Sequence, residues 1–339
     1  MNVNNYLHIS LSWQNTLDDF FGILPESVSA GRDDPTLGLG RLIGDAVAFL
    51  RGESGGILGF LLGSLCLCFL LSCFENHIRG GEGNLPPVLC VFNFALCLGI
   101  LPICQGLASS GDELASLFSG IVPVFTSLSL GLGCVGVAAA QSFALTATLA
   151  LLGGGSEGVL ALFCPPLLFA AAVSPLTREC GFDVGVGLKR IFTRGISLLG
   201  MLLGGVVGLQ TVVASARDSL TLRATRVAVS EALPMVGGAV SGAVSSIAGG
   251  LGYACSTVGA FSVVALLSLS LSPLLLALAY RLSLGLCLFM LKTSGASRTH
   301  SAVAAVVSAF DAAIGVYALT SAIYILETLA FMKAMPSWL

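Results

Sequence analysis

The sequence predicts an all-α, polytopic integral membrane protein. Three observations predict it: long unbroken apolar runs, a charged-residue share of only 10%, and 42 glycines among 339 residues. An ordinary globular domain carries about 25% charged residues, so a soluble fold of this size would lack the polar side chains to cover its surface. The mean hydropathy of +0.96 points the same way. Hydrocarbon admits only helices and closed barrels, because every backbone N–H and C=O must be satisfied within the chain. Barrel strands alternate apolar and polar residues over short runs; the apolar runs here are continuous, which selects helices. Glycine weakens helices in water but lets membrane helices approach one another closely.

The chain divides into an N-terminal tail, 1–56, and a polytopic membrane domain, 57–332. The tail is acidic, with Asp18, Asp19, Glu26, Asp33, Asp34, Asp45 and Glu53 against Arg32, Arg41 and Arg51. It shows no signal-peptide pattern, since no apolar core follows an early basic residue. Leu39, Leu42, Ile43, Ala46, Val47 and Leu50 fall on one helical face, which predicts an amphipathic helix lying either on the membrane surface or on the protein's own bundle.

Six segments are long and apolar enough to span a bilayer, which takes about 20 residues: 57–74, 86–108, 157–175, 195–214, 256–280 and 301–330. Two more are ambiguous. Residues 114–152 form one apolar stretch interrupted by Gly131 and Gly133, and 233–252 are rich in Gly and Ser. Each reads as a re-entrant hairpin or as a tight pair of short spans. Basic residues gather in 176–194 (Arg178, Lys189, Arg190, Arg194) and in 281–300 (Arg281, Lys292, Arg298), so the positive-inside rule makes both loops cytoplasmic. The loops 109–113 and 153–156, which hold no basic residue, then lie outside, and the N-terminal tail is extracytoplasmic. Arg217, Arg223 and Arg226 in 215–231 oppose this count; an amphipathic helix at the interface would accommodate them.

Two stretches look alike. Ser119-Gly-Ile-Val-Pro123 resembles Ser230-Glu-Ala-Leu-Pro234, and the prolines Pro165 and Pro273 recur at similar distances beyond. This suggests a parallel internal repeat with units 114–214 and 217–330, an arrangement found in transporters with interrupted helices.

Several residues stand out. Gly200, Gly204 and Gly208 repeat every four residues, and Gly237, Gly238 and Gly242 begin a similar pattern, which marks helix-packing or partner faces. Asp311, Gln210 and Glu327 are polar groups at membrane depth, where charge is costly and is either paired or lines a polar path. Asp311 is the stronger candidate, for function or for pairing with an Arg of 215–231; Glu327, near the end of its segment, is expected to reach the interface. The eleven cysteines are odd in number and form no CxxC motif, and the histidines are far apart, so packing rather than zinc binding is expected. No Walker A, HExxH or nucleophile-elbow motif is present. The sequence therefore suggests neither catalysis nor a cofactor, and the net charge of −3 offers no nucleic-acid footprint.

The order of polar landmarks in 188–240 resembles the stage III sporulation protein AE family. Leu188-Lys-Arg-Ile-Phe leads into Ser197-Leu-Leu-Gly200, then Gly208-Leu-Gln210-Thr-Val-Val. Leu222-Arg223-Ala-Thr225 and Pro234-Met-Val-Gly237-Gly238 follow. The resemblance implies a membrane subunit of a transenvelope, secretion-like channel complex between mother cell and forespore, needed for forespore development. It also implies the partners: the other stage III A proteins, including a separate ATPase, and the forespore protein SpoIIQ, with self-association a further reading of the glycine faces. The place implied is the mother-cell membrane around the forespore. Family members commonly begin with a signal peptide, from which this sequence departs. The alternative reading, from Asp311, the interrupted segments and the suggested repeat, is a stand-alone permease for small solutes.

Overall fold

A computed structural model describes residues 44, 46–78, 85–131, 135–150, 156–179 and 237–334, with scattered helical positions between 187 and 205. The long elements are α1 (Ser54–Ile78), α2 (Leu85–Gly131), α3 (Val135–Thr148), α4 (Ser156–Glu179), α5 (Gly237–Thr293) and α6 (Ser297–Ala334). No strand occurs among the described residues. Four helical stretches are long and apolar enough to cross a membrane: Ser54–His77, Leu85–Leu130, Thr257–Thr293 and Ser297–Met332.

The helices begin and end where local chemistry dictates. Pro86 and Pro87 occupy the first turn of α2, where their fixed φ suits a helix and their missing N–H is no loss. α5 closes through Ser294 and Gly295, the latter at φ 75°, a left-handed conformation that glycine adopts without a Cβ penalty. The chain turns back at Ala296 and α6 follows at once.

α5 and α6 thus form a long antiparallel hairpin. Its register holds from the Arg281–Asp311 pair to Gly259, where an added Cβ would lie 2.4 Å from Met332 Cγ. At 1.5 Å per residue that outer contact is about 50 Å from the turn. α2 runs parallel to α6: Asn93 meets Ala302, Phe118 stacks on Tyr324, and Phe125 stacks on Phe331 with centroids 3.9 Å apart. α4 is antiparallel to α2, with Ala171 beside Asn93 and Leu168 beside Cys97. α1 lies along α5, with Phe60 and Tyr280 rings 4.8 Å apart. It also approaches α2 so closely that a Cβ on Gly99 would meet Phe60 at 3.0 Å.

The interior divides into two stacked cores. The first holds Cys68, Leu89, Ile100, Leu107, Cys164, Leu168, Leu284, Val306 and Phe310, with contributions from α1, α2, α4, α5 and α6. The second holds Leu114, Phe118, Ile121, Phe125, Leu145, Phe261, Tyr324 and Phe331. On α2 the first core occupies Leu85–Ala108, about 36 Å of helix and so close to one hydrocarbon thickness. The turn Ser294–Ala296 and the C-terminal turn of α4 lie at the same end of this core, and Lys292 and Arg298 flank that turn.

Several boundaries differ from the sequence reading. Residues 109–113 are the interior of α2, not a loop, so 86–108 and the first part of 114–152 are one helix. The expected basic loop 281–300 is helical except at Ser294–Ala296. Residues 237–252 are continuous with 256–280 in α5 and make no re-entrant hairpin. The stretch 114–152 does divide near its glycines, with α2 ending at Gly131 and α3 beginning at Val135. The apolar described part of 157–175 is the shorter stretch Cys164–Leu176, and most of 195–214 lies outside the described residues. The two suggested repeat units do not show one arrangement twice: α5 runs unbroken through Pro273, whereas the corresponding part of the first unit is three separate helices.

Candidate functional site

The chemistry-bearing side chains of the described bundle form four polar ties between helices. The first is at the basic end. Glu75, in the last turn of α1 and 3% exposed, accepts hydrogen bonds from Arg298 N at 3.2 Å, Thr299 N at 3.0 Å and Thr299 Oγ1 at 2.6 Å. A helix N-terminus presents unpaired N–H groups and the positive end of the dipole, so this carboxylate caps α6 from a different helix. One turn earlier, Ser72 Oγ donates to Ser294 Oγ at 2.7 Å. α1 therefore clasps the α5–α6 turn.

The second tie is Asn93 on α2, fully buried. Its amide donates to Ala302 O at 3.0 Å and Ala171 O at 3.4 Å, joining α2, α4 and α6. The third is the Arg281–Asp311 ion pair, on the outer side of the hairpin, with side chains 32% and 44% exposed. The fourth joins α3 to α6: Thr148 Oγ1 donates to Glu327 Oε1, and Glu327 is 2% exposed.

This corrects two expectations. Asp311 pairs with Arg281 of the neighbouring helix, whereas the expected arginines of 215–231 lie outside the described residues. Glu327 is sealed inside the second core and does not reach the interface. Gly200 faces α6, where an added Cβ would meet Leu319 at 3.3 Å, whereas a Cβ on Gly204 would have nothing within 4 Å. Gly237, Gly238 and Gly242 lie in the first turns of α5. Gly208, Gln210, Leu222, Arg223, Thr225 and Pro234 lie outside the described residues. Glu75, Asn93 and Thr148 escaped the sequence reading, although a lone Asn in the apolar run 86–108 was a visible signal.

Among the described residues Cys68, Cys97, Cys104, Cys164 and Cys287 lie within the apolar packing, whereas Cys66 and Cys73 are exposed. Cys68 and Cys287 thiols are hydrogen-bonding neighbours, as are those of Cys104 and Cys164; Cys287 Sγ also donates to Ser64 Oγ at 3.3 Å. All four are free thiols in the first core. Among the described residues no group of three or more His, Cys, Asp or Glu gathers to hold a metal ion. The four ties align helices.

The outer surface defines the class of protein. Leu62 is 65% exposed, Val91 72%, Phe143 76%, Leu282 63% and Phe289 66%. An apolar exterior this extensive is stable in lipid and not in water. With four helical stretches fit to cross a bilayer, the chain is a multi-pass helical membrane protein. The family model of stage III sporulation protein AE matches residues 112–326, and the chain belongs to that family. Membership carries a role in sporulation. No curated protein and no solved structure matches the chain.

Proposed function

We propose that this protein is a membrane core subunit of a transenvelope, secretion-like channel complex between mother cell and forespore, needed for forespore development. The observation that carries the reading is the family match over 112–326, which takes in the C-terminal part of α2, all of α3–α5 and most of α6. The polar ties favour a scaffold: they fix helices against one another, as a subunit that seats partners requires. In this reading the other stage III A proteins, a separate ATPase among them, and the forespore protein SpoIIQ are its partners. The basic end of the bundle, with Lys292 and Arg298, faces the mother-cell cytoplasm, and the tail 1–56 lies on the opposite side. The segment 195–214 adds a span to those the structure describes.

Deletion of the gene tests this. Forespores should complete engulfment and then arrest, with heat-resistant spore counts falling by orders of magnitude and restored by the wild-type gene in trans. Normal spore yield from the deletion strain would end the proposal. A second reading, a permease for small solutes, is favoured by the buried Glu327. It predicts solute flux in liposomes holding the purified protein alone, which the scaffold reading does not.

A further inference from the structure

The second core encloses one carboxylate that the described bundle leaves half satisfied. Oε1 of Glu327 accepts from Thr148, but Oε2 is buried without a partner among the described residues. One turn earlier on α6, the hydroxyl of Tyr324 is likewise buried and unpartnered, although its ring is fixed by Phe118. Two hydroxyl or carboxyl oxygens without partners in one turn of an apolar core are unusual, because buried polar groups are nearly always paired.

The backbone beside this carboxylate is irregular. Thr148 is the last residue of α3, and the chain opens there into a π turn at Leu149–Ala150, a geometry that recurs at functional sites. No Lys, Arg or His among the described residues pairs with Glu327; the described ion pair, Arg281–Asp311, lies about 24 Å away along α6. Among the described residues the site therefore holds one carboxylate and two hydroxyls and has no positive counterpart.

We propose that Glu327, Thr148 and Tyr324 bind a monovalent alkali cation, sodium in the first instance. The donors are all oxygen, which suits hard cations and disfavours soft transition metals. A single carboxylate balances one positive charge; a divalent ion would leave an uncompensated charge in an apolar core. Family membership assigns no such site, and the proposal does not depend on the channel reading.

The test uses purified full-length protein in detergent. Thermal unfolding is followed in sodium, lithium, potassium and calcium chlorides, each against choline chloride at matched ionic strength, and equilibrium binding of radioactive sodium is measured alongside. The expected result is a saturable, sodium-dependent rise in melting temperature with saturable uptake of one ion per chain. Glu327→Gln, which keeps the shape and the acceptor for Thr148, should lose both. Tyr324→Phe, which keeps the stack on Phe118, should bind about three- to tenfold more weakly. Asp311→Asn should leave binding unchanged. If Glu327→Gln fails to elute as a folded, monodisperse species in choline, Tyr324→Phe and Thr148→Val carry the test. Equal melting temperatures in sodium and choline would overturn the proposal. So would a calcium effect as large as that of sodium, or a sodium effect undiminished in these variants.

Discussion

Replacing Glu75 by Ala should open the bundle at its basic end and leave the rest folded. The carboxylate receives three hydrogen bonds from the start of α6, and two of them come from Thr299, which is fully buried. Stranding a buried donor costs about 1–3 kcal/mol, so two stranded donors cost roughly 3 kcal/mol once partial relaxation is allowed. Loss of the favourable carboxylate–dipole contact adds about 0.3–1 kcal/mol. A local cost of 3 kcal/mol raises the open population of the α5–α6 turn by about a hundredfold. Lys292 and Arg298 flank that turn and are exposed, so limited trypsinolysis in detergent reads the opening directly. When reclosing outpaces cleavage, the rate tracks the open population. Cleavage at Lys292 and Arg298 should therefore rise about a hundredfold in Glu75→Ala and about tenfold in Glu75→Gln, which keeps one acceptor. Cleavage at the exposed Arg51 should not change. In a double-mutant cycle with Thr299→Val the two costs should be strongly non-additive. Turn cleavage within twofold of wild type in Glu75→Ala would refute the clasp.

Other perturbations follow from the remaining contacts. Asn93→Ala removes the bridge to Ala171 and Ala302 and should lower stability by about 1–3 kcal/mol, read as a lower melting temperature in detergent. Arg281→Asp sets two acids face to face at Asp311 and should reduce accumulation in the membrane, with the exchange Arg281→Asp plus Asp311→Arg restoring it on immunoblots of membrane fractions. Asp311→Asn should cost at most about 1 kcal/mol in detergent, because the pair is partly solvated. Phe125→Ala, which empties a stack on Phe331, should cost about 3–5 kcal/mol and speed hydrogen exchange in the second core while protection in the first holds. Gly259→Leu drives into Met332 and should cost about 1–3 kcal/mol by overpacking, with Met332→Ala recovering much of the lost melting temperature.

The helical membrane class was legible because it rests on composition and run length, which do not depend on tertiary contacts. Continuity of the helices was harder to see. Ser109-Ser-Gly-Asp-Glu113 reads as a polar loop, yet the buried face of α2 passes straight through it. Leu107, Gly111, Leu114, Phe118, Ile121, Phe125 and Leu128 are buried at alternating steps of four and three, so Asp112 and Glu113 sit on the exposed face of an unbroken helix. The same holds beyond Arg281, where Leu284, Cys287 and Leu291 keep the period and the charges lie outside it. Missing the turn at Ser294–Ala296 hid the hairpin register, and with it the true partner of Asp311. Glu327 looked peripheral by its distance from the chain end; its burial depends on α3 packing over it, a contact between residues 179 apart. Glu75 was invisible for the same reason, since its partners lie 223 and 224 residues away.

The central claim, that lipid rather than water surrounds this bundle, is tested most directly by extracting cell membranes with alkaline carbonate and centrifuging at high speed. The full-length polypeptide should remain in the pellet and enter the supernatant only when detergent is added. Release by carbonate alone, as a monodisperse species, would contradict the account.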